Sequence, residues 1–394
     1  MIYLVTTSPY PYGLAATKRT QLLAEGMNKE IKCKILVSKR VASKSLITKN
    51  KEKKGLLNGV EYEYTTGEIS ASTSLFRRVF EDIVDALKTR LYLKKHLKEG
   101  DIVYLFMRDN FAELILTDIT HKRKCKCVRE LCELPYGTGK NTIYMKIQRY
   151  ISLHYILKRF DAVFPISTTL EQLARQHCKK TARITKIPIL TSTSDRIRKQ
   201  SSGNTIHQLN LFHAGSLTQQ KDGILYIFEA LGILKKEYNI SFPFNLTGNI
   251  KSSPDSKEIT NLIKKYDLRE VSFLGYISDE AVDDYIQNSS FLIVYKIDNL
   301  QNKYCFATKL GDYLKNGKVV ITTNVGEQMY YLTDKENCII TTAGDVISLV
   351  DSIRWIISNP NSIQYIEKNA ESTCIKHFDF IDNSKKIVTT INNL

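Results

Sequence analysis

Short apolar runs alternate with amphipathic helical stretches twice over, with one break between, and this restricts the chain more than any other feature. In the first half, IYLVTT (2–7), KCKILVS (32–38), DIVYLF (101–106), CKCVREL (125–131) and DAVFPIS (161–167) read as buried strands. Helical patterns at 15–27, 74–97 and 144–158 lie between them. Such alternation predicts parallel βαβ units, because parallel neighbours need a crossover connection. Around 184–208 the pattern breaks: ITKIPIL runs into the polar TSTSDRIRKQSSGNT, which has neither period and reads as a linker. Alternation then restarts with LNLFHAG (209–215), a helix at 223–238, and the runs PFNLTG, EVSFLG, SFLIVY, KVVITT and NCIITT. Their unbroken apolar character suits strands covered on both faces. A chain of 394 residues exceeds a single core. The expected division is a first domain at 1–190, a linker at 191–208 and a second domain at 209–377. The last helices, from 346 onward, are expected to turn back, with about 378–394 packing on the first domain.

Composition narrows the function. An apolar fraction of 43% with 25% charged residues is that of a globular protein. The 57 basic against 41 acidic residues leave +16, which calls for an anionic partner: nucleic acid, a membrane face or a phosphorylated substrate. The eight cysteines form no CxxC pair, so reduced thiols are expected and a zinc site is not. The opening MIYLVTTSPYPYG has no basic leader and reads as a first strand. No segment reaches the ~18 apolar residues of a spanning helix, so any membrane contact is peripheral. The basic excess lies in the first half, at KNKEKK (49–54), LKTRLYLKKHLK (87–98), HKRKCK (121–126) and KIQRYISLHYILKR (146–159). In the long helix there, Leu75, Phe76, Val79, Phe80, Ile83, Val84 and Leu87 make an apolar stripe. A core helix with a solvated back accounts for the stripe but not for the charge bias beside it.

Three local patterns carry chemistry. Gly13 stands between the first strand and its helix, where backbone amides can approach a phosphate; Thr17, Lys18 and Arg19 follow in the first turn. Gly215 and Ser216 end the first strand of the second half, and Lys221 precedes its helix, placed to hold a diphosphate as a point charge. In NKYCFATKLGDYLKNGKVVI, Lys309 and Asp312 share a helical face, and a carboxylate there can accept from a ribose diol. Each pattern alone also fits an ordinary turn or a surface ion pair.

Together, in this order, they resemble the retaining family 4 glycosyltransferases over nearly the whole chain. The resemblance rests on GSLTQQKDG, SFLGYIS and LGDYLKNGKVVI in the second half and on FDAVFPISTTLEQLARQ and ITKIPIL in the first. It points to the subgroup that builds bacterial polysaccharide and lipopolysaccharide. It implies the α/β GT-B fold, two Rossmann-like doubly wound domains facing a central cleft. It implies a hexose-type sugar moved from a nucleotide diphosphate, UDP the expected one, to a lipid-linked or saccharide acceptor. Gly13, Gly215, Ser216, Lys221 and Gly248 then belong to the donor's phosphate side. Tyr276 and Ile277, after Gly275, read the base, Phe306, Ala307, Thr308 and Lys309 face the donor, and Asp312 binds the ribose. The family's first acidic residue falls on Tyr304, its arginine on Ser216, and its first-domain histidine is missing. In place of that histidine, Glu130 or Glu133 is expected to orient the acceptor hydroxyl or stabilise the oxocarbenium-like sugar, with Lys221 assisting the leaving diphosphate and Tyr12 and Arg108 on the acceptor side. A carboxylate merely paired with Arg108, Arg129 or a lysine is the competing role for either glutamate.

The resemblance implies no metal or other cofactor; Asp283-Asp284 reads as helix surface, and His154, His207 and His213 as scaffold. Family habit and the basic first half place the protein in the cytoplasm, peripheral on the cytoplasmic face of the inner membrane. A catalytically degenerate GT-B subunit and a sugar-nucleotide epimerase are the competing readings. A nucleic-acid-binding protein is disfavoured because no RNP-like aromatic pattern, helix-turn-helix cue or zinc module appears.

Overall fold

The computed structural model describes residues 1–42, 47, 49–137, 142–193 and 209–394. Most of the expected linker, with His207 in it, lies outside the described residues. The chain forms two compact units, Met1–Ser192 with Phe380–Leu394, and Thr193–Asp379.

The first unit is built on eight strands: β1 (Ile2–Thr6), β2 (Cys33–Val37), β3 (Lys54–Leu57), β4 (Val60–Tyr64), β5 (Ile102–Phe106), β6 (Lys126–Leu131), β7 (Ala162–Pro165) and β8 (Arg183–Ile184). Their order is β3-β4-β2-β1-β5-β6-β7-β8, parallel except for the β3–β4 hairpin. Helices α1 (Ala15–Asn28), α2 (Leu75–His96), α3 (Asn110–Lys122), α4 (Ile143–Ile151) and α5 (Thr168–His177) connect them. After α4 the backbone continues through a π-helical turn at Ser152–Ile156, where an unbroken helix was expected. Apolar residues of β1, β2 and α1 share one core with Phe380, Ile387, Val388 and Ile391 near the C-terminus.

The second unit carries β9 (Leu211–His213), β10 (Phe244–Thr247), β11 (Val271–Gly275), β12 (Phe291–Val294), β13 (Val319–Thr323) and β14 (Ile339–Thr341), all parallel, in the order β11-β10-β9-β12-β13-β14. That is the doubly wound order of nucleotide-binding folds, with the reversal between β9 and β12. Its helices are a single turn α6 (Gln219–Asp222), then α7 (Ile224–Tyr238), α8 (Ser256–Tyr266), α9 (Asp279–Asn288), α10 (Leu300–Tyr304), α11 (Lys309–Lys315), α12 (Val346–Ser358) and α13 (Pro360–Phe378). Thus α12 and α13 stay with this unit, and only α14 (Phe380–Asn392) returns to the first, where it packs on α1.

The α2 stripe is not core. Phe76, Val79, Phe80, Ile83, Leu87 and Leu91 are exposed, Phe76 at 92%. The buried face of α2 is instead Asp85, Ala86, Thr89 and Leu93. Arg40 selects that face, pairing with Asp85 at 3.3 Å and with Glu81 at 3.0 Å. A stripe of six large apolar side chains therefore meets solvent, and the core-helix reading of it does not hold.

Candidate functional site

In an open α/β sheet, ligands bind beyond the carboxyl ends of the strands where the strand order reverses. In the second unit that point lies between β9 and β12, and a cluster of charge fills it. Asp222, 1% exposed, ends α6. Its Oδ1 receives Lys296 Nζ at 2.7 Å and Lys309 Nζ at 3.0 Å, and its Oδ2 receives Ser216 Oγ at 2.5 Å. Burial would raise the Asp222 carboxyl, but Lys309 and Lys296 hold it well below the usual carboxylate range. Two mostly buried ammonium groups thus share one carboxylate, leaving a cation in excess. Burial, against the pull of Asp222, lowers the Lys309 ammonium to about 8. Lys221 adds a further, exposed ammonium on α6 with no ion-pair partner among the described residues.

Backbone geometry brings these groups together. A Cβ on Gly215 would stand 2.4 Å from Lys309 Nζ, so a side chain there would push the ammonium from its place on Asp222. The Gly215 amide donates to Thr247 Oγ1 at 3.0 Å and the Ala214 amide to Tyr313 Oη at 2.8 Å, tying the loop to β10 and α11. Gly248 takes a φ of +103°, and a side chain there would meet the Gly215 carbonyl. Beneath the loop, fully buried His213 faces the Ile293 carbonyl through Nδ1 at 3.2 Å, which puts its proton there. Burial and then Lys309 lower its pKa to about 3, so the ring is neutral and its partnerless Nε2 presents only a lone pair.

Residues 197–373 match the family model for glycosyl transferases group 1. The matched stretch covers most of the second unit. Structures similar along the chain include Anabaena Alr3699/HepE in complex with UDP-glucose, at 15% identity over all of both chains with a TM-score of 0.72. Sucrose-phosphate synthase from Thermosynechococcus elongatus matches at 14% identity over 100% of this chain and 98% of that one, with a TM-score of 0.76. The apo form of the lipopolysaccharide outer core galactosyltransferase WaaB follows at 13% identity, 100% and 99% coverage and a TM-score of 0.64. No curated protein matches at the level of sequence. At these identities the structural likeness establishes the fold, which is GT-B.

Within the second unit, Gly215, Ser216 and Lys309 join the charge cluster, and Lys221 lies one residue from Asp222. Asp312 pairs with Lys315 at 3.7 Å in the first turn of α11, and Thr308 precedes that helix. Tyr276, 82% exposed, and half-buried Ile277 follow β11 at the sheet edge. Phe306 is buried in an aromatic cluster, stacked on Tyr331 at 5.5 Å and edge-on to Phe378 at 5.6 Å, and its ring packs the domain. Ala307 accepts the Leu310 amide in the turn that starts α11. Two members of the cluster, Asp222 and Lys296, were not anticipated. The signal for Lys296 was present: a lysine directly after the continuous apolar strand of β12.

In the first unit the order reverses between β1 and β5, and the loop with Tyr12 and Gly13 follows β1. Both residues are exposed, and the loop is held by Thr17 Oγ1 donating to the Pro9 carbonyl at 2.8 Å and by Asn50, which bonds both backbone groups of Tyr12. Arg19 does not wait for an external anion, as its place in the first turn suggested. It turns inward, donating Nε and Nη2 to Glu130 Oε1 at 2.8 and 2.6 Å and reaching the Pro188 and Ile187 carbonyls. Tyr104 takes the other Glu130 oxygen. At 2% exposure with both oxygens engaged, Glu130 has nothing left for an acceptor hydroxyl. Glu133 sits partly exposed, paired with Arg108, which follows β5. Arg129 goes instead to buried Glu113, at 2.9 Å.

Proposed function

We propose that this chain is a retaining, family 4 hexosyltransferase. It moves a sugar from a UDP-type donor to a lipid-linked or saccharide acceptor in surface polysaccharide or lipopolysaccharide assembly. The observation that carries the reading is the excess cation of the Asp222–Lys296–Lys309 cluster at the reversal point of a Rossmann-like unit. A desolvated cation in excess is costly without an anion, and a diphosphate supplies one. UDP is favoured because solved structures of the same fold are described as complexes with UDP and UDP-glucose.

In this reading Lys309, Lys296 and Lys221 face the diphosphate, Tyr276 and Ile277 the base, and Asp312 the ribose. The anomeric carbon–oxygen bond to the β-phosphate breaks as the acceptor oxygen bonds to that carbon on the same face. The acceptor's proton passes to a departing phosphate oxygen. The chain's contribution is positioning and stabilisation of the charge on that diphosphate. No metal is required by this scheme. Glu133, held by Arg108 and reachable from solvent, is the remaining candidate for orienting the acceptor, with Tyr12. The basic first half suits attachment to the cytoplasmic face of an anionic membrane, where a lipid-linked acceptor would lie; no helix among the described residues is long and apolar enough to cross one.

The test is a thermal-shift panel of nucleoside diphosphates and their sugars, with magnesium or with EDTA, on wild type and Asp312→Ala. At ~100-fold excess over Kd a ligand stabilises by about 2.7 kcal/mol. UDP is expected to raise Tm equally with and without magnesium, and Asp312→Ala to abolish the rise. No shift with any nucleotide would end the glycosyltransferase reading.

A further inference from the structure

The exposed apolar stripe of α2 is accompanied by exposed apolar residues on the next two helices of its unit. Helices α2, α3 and α4 each leave the carboxyl edge of the first sheet, after the parallel strands β4, β5 and β6. α2 packs on α3, and α3 on the π-helical turn that follows α4. Each shows large apolar side chains to solvent: Phe76 and Phe80 on α2, Phe111 and Leu114 on α3, Ile143 and Tyr144 on α4. No residue of α4 is buried at all. Single exposed apolar residues are ordinary, but six large ones along one face of α2 mark an interaction surface.

Charge identifies the occupant. Exposed Arg77 lies next to Phe76, exposed Lys146 follows Tyr144, and exposed Lys94 and Lys95 continue down α2. Cations ringing an apolar plane match a bilayer with anionic headgroups, where apolar groups enter the acyl boundary and the cations stay with phosphate. A protein partner would match the apolar plane but gives no reason for the net charge of +16.

We infer that the exposed apolar stripe of α2, from Phe76 to Leu91, is a membrane-inserting surface, so that the protein is held at an anionic bilayer by penetration as well as by charge. This deepens the attachment reading above, which basic residues alone would satisfy, and is independent of the donor site.

The experiment uses the full chain with vesicles of phosphatidylcholine and phosphatidylglycerol. Phe80→Trp adds an indole at an already exposed position, and the native Trp355, which belongs to the second unit, serves as the wild-type control. Insertion predicts extra quenching of Phe80→Trp by lipids brominated on the acyl chain, and binding that persists at ~1 M salt, where screening extends only ~3 Å. The double variant Phe76→Ser/Phe80→Ser should lose vesicle affinity about 100-fold or more, because two aromatic side chains no longer leave water for the bilayer. Its Tm and UDP response should be unchanged. Binding without quenching and abolished by salt would overturn insertion while leaving charge-driven attachment intact. No vesicle binding, or a concentration-dependent dimer dispersed by Phe76→Ser/Phe80→Ser, would overturn both, whatever the UDP response.

Discussion

Two buried ionic clusters lie near the carboxyl ends of strands, one in each unit, and they are built differently. In the first, Arg19 meets Glu130 one to one, two carbonyls, a tyrosine hydroxyl and the Cys132 thiol complete the set, and charge balances. In the second, Lys296 and Lys309 meet the single carboxylate of Asp222, with Ser216 on its other oxygen. A balanced, closed cluster is scaffold: it has neither charge nor lone pairs to offer. An unbalanced one is unfinished without an anion. Burial and chemistry are similar in the two, so the counting of charges separates architecture from binding site.

Removing the carboxylate from each is the largest way to break that comparison. Glu130→Ala leaves Arg19 buried without a counter-ion, a loss of about 3–5 kcal/mol. In urea unfolding this loss should persist at saturating UDP. Asp222→Asn strands two lysines, and a loss of similar size is expected without ligand. Here UDP should restore much of it, because the diphosphate replaces the missing charge. Equal insensitivity of both variants to UDP would show that the second cluster is scaffold too. A smaller effect follows from Lys309→Met, which converts the second cluster into a balanced pair like the first. Unliganded stability should hold or rise, while UDP affinity falls about 10- to 100-fold, the range of a charge-assisted hydrogen bond of ~1.5–3 kcal/mol. Isothermal titration with urea melts reads both quantities, and a parallel fall in the two would contradict the argument.

The fold was largely legible because its strands are continuous apolar runs, and such runs announce buried parallel strands wherever they occur. The β3–β4 hairpin was missed. Its turn, Asn58-Gly59, has φ of 49° and 78°, the paired positive values such a two-residue turn needs, but it follows a lysine-rich stretch that reads only as charge. In the site, Gly215 and Lys309 announced themselves as a loop glycine and a helix-start lysine. Asp222 did not, because its contacts span 87 and 74 residues and no local pattern encodes such a meeting, while Lys296 was marked only by its place just past an apolar strand. Phe306 is placed at the donor by the resemblance; its ring packs in the core, which leaves only its backbone to face a ligand. The α2 stripe carries the same lesson, since periodicity reports that one face is apolar and is silent about what covers it.

Titration sharpens the comparison with a smaller effect. Lys309 lies at about 8 in the fold against 10.5 unperturbed, burial being the main cause. Between these values the unfolded chain binds more protons, so this group's contribution to unliganded stability rises with pH across the window. Nucleotide affinity must move the other way, because only the ammonium attracts a diphosphate. UDP affinity should therefore fall up to about 10-fold from pH 7 to pH 9, within the ~1.4 kcal/mol that one such decade represents. Lys309→Arg keeps its charge throughout and should flatten the profile.

The smallest expected effect on stability belongs to the exposed pair in the first unit. Arg108 and Glu133 are both solvent-accessible, their side chains 55% and 34% exposed, so Glu133→Gln should change stability by no more than about 1 kcal/mol. Unlike Glu130, Glu133 keeps access to solvent, and a carboxylate there can hold a hydroxyl in place. If it orients the acceptor, Glu133→Gln lowers kcat in a transfer assay by about 10-fold or more at unchanged UDP affinity, in the range of a positioned proton acceptor or hydrogen bond. The same substitution with full transfer activity would place Glu133 with Glu130 among the structural carboxylates and leave the first unit's contribution to acceptor recognition with the Tyr12 loop.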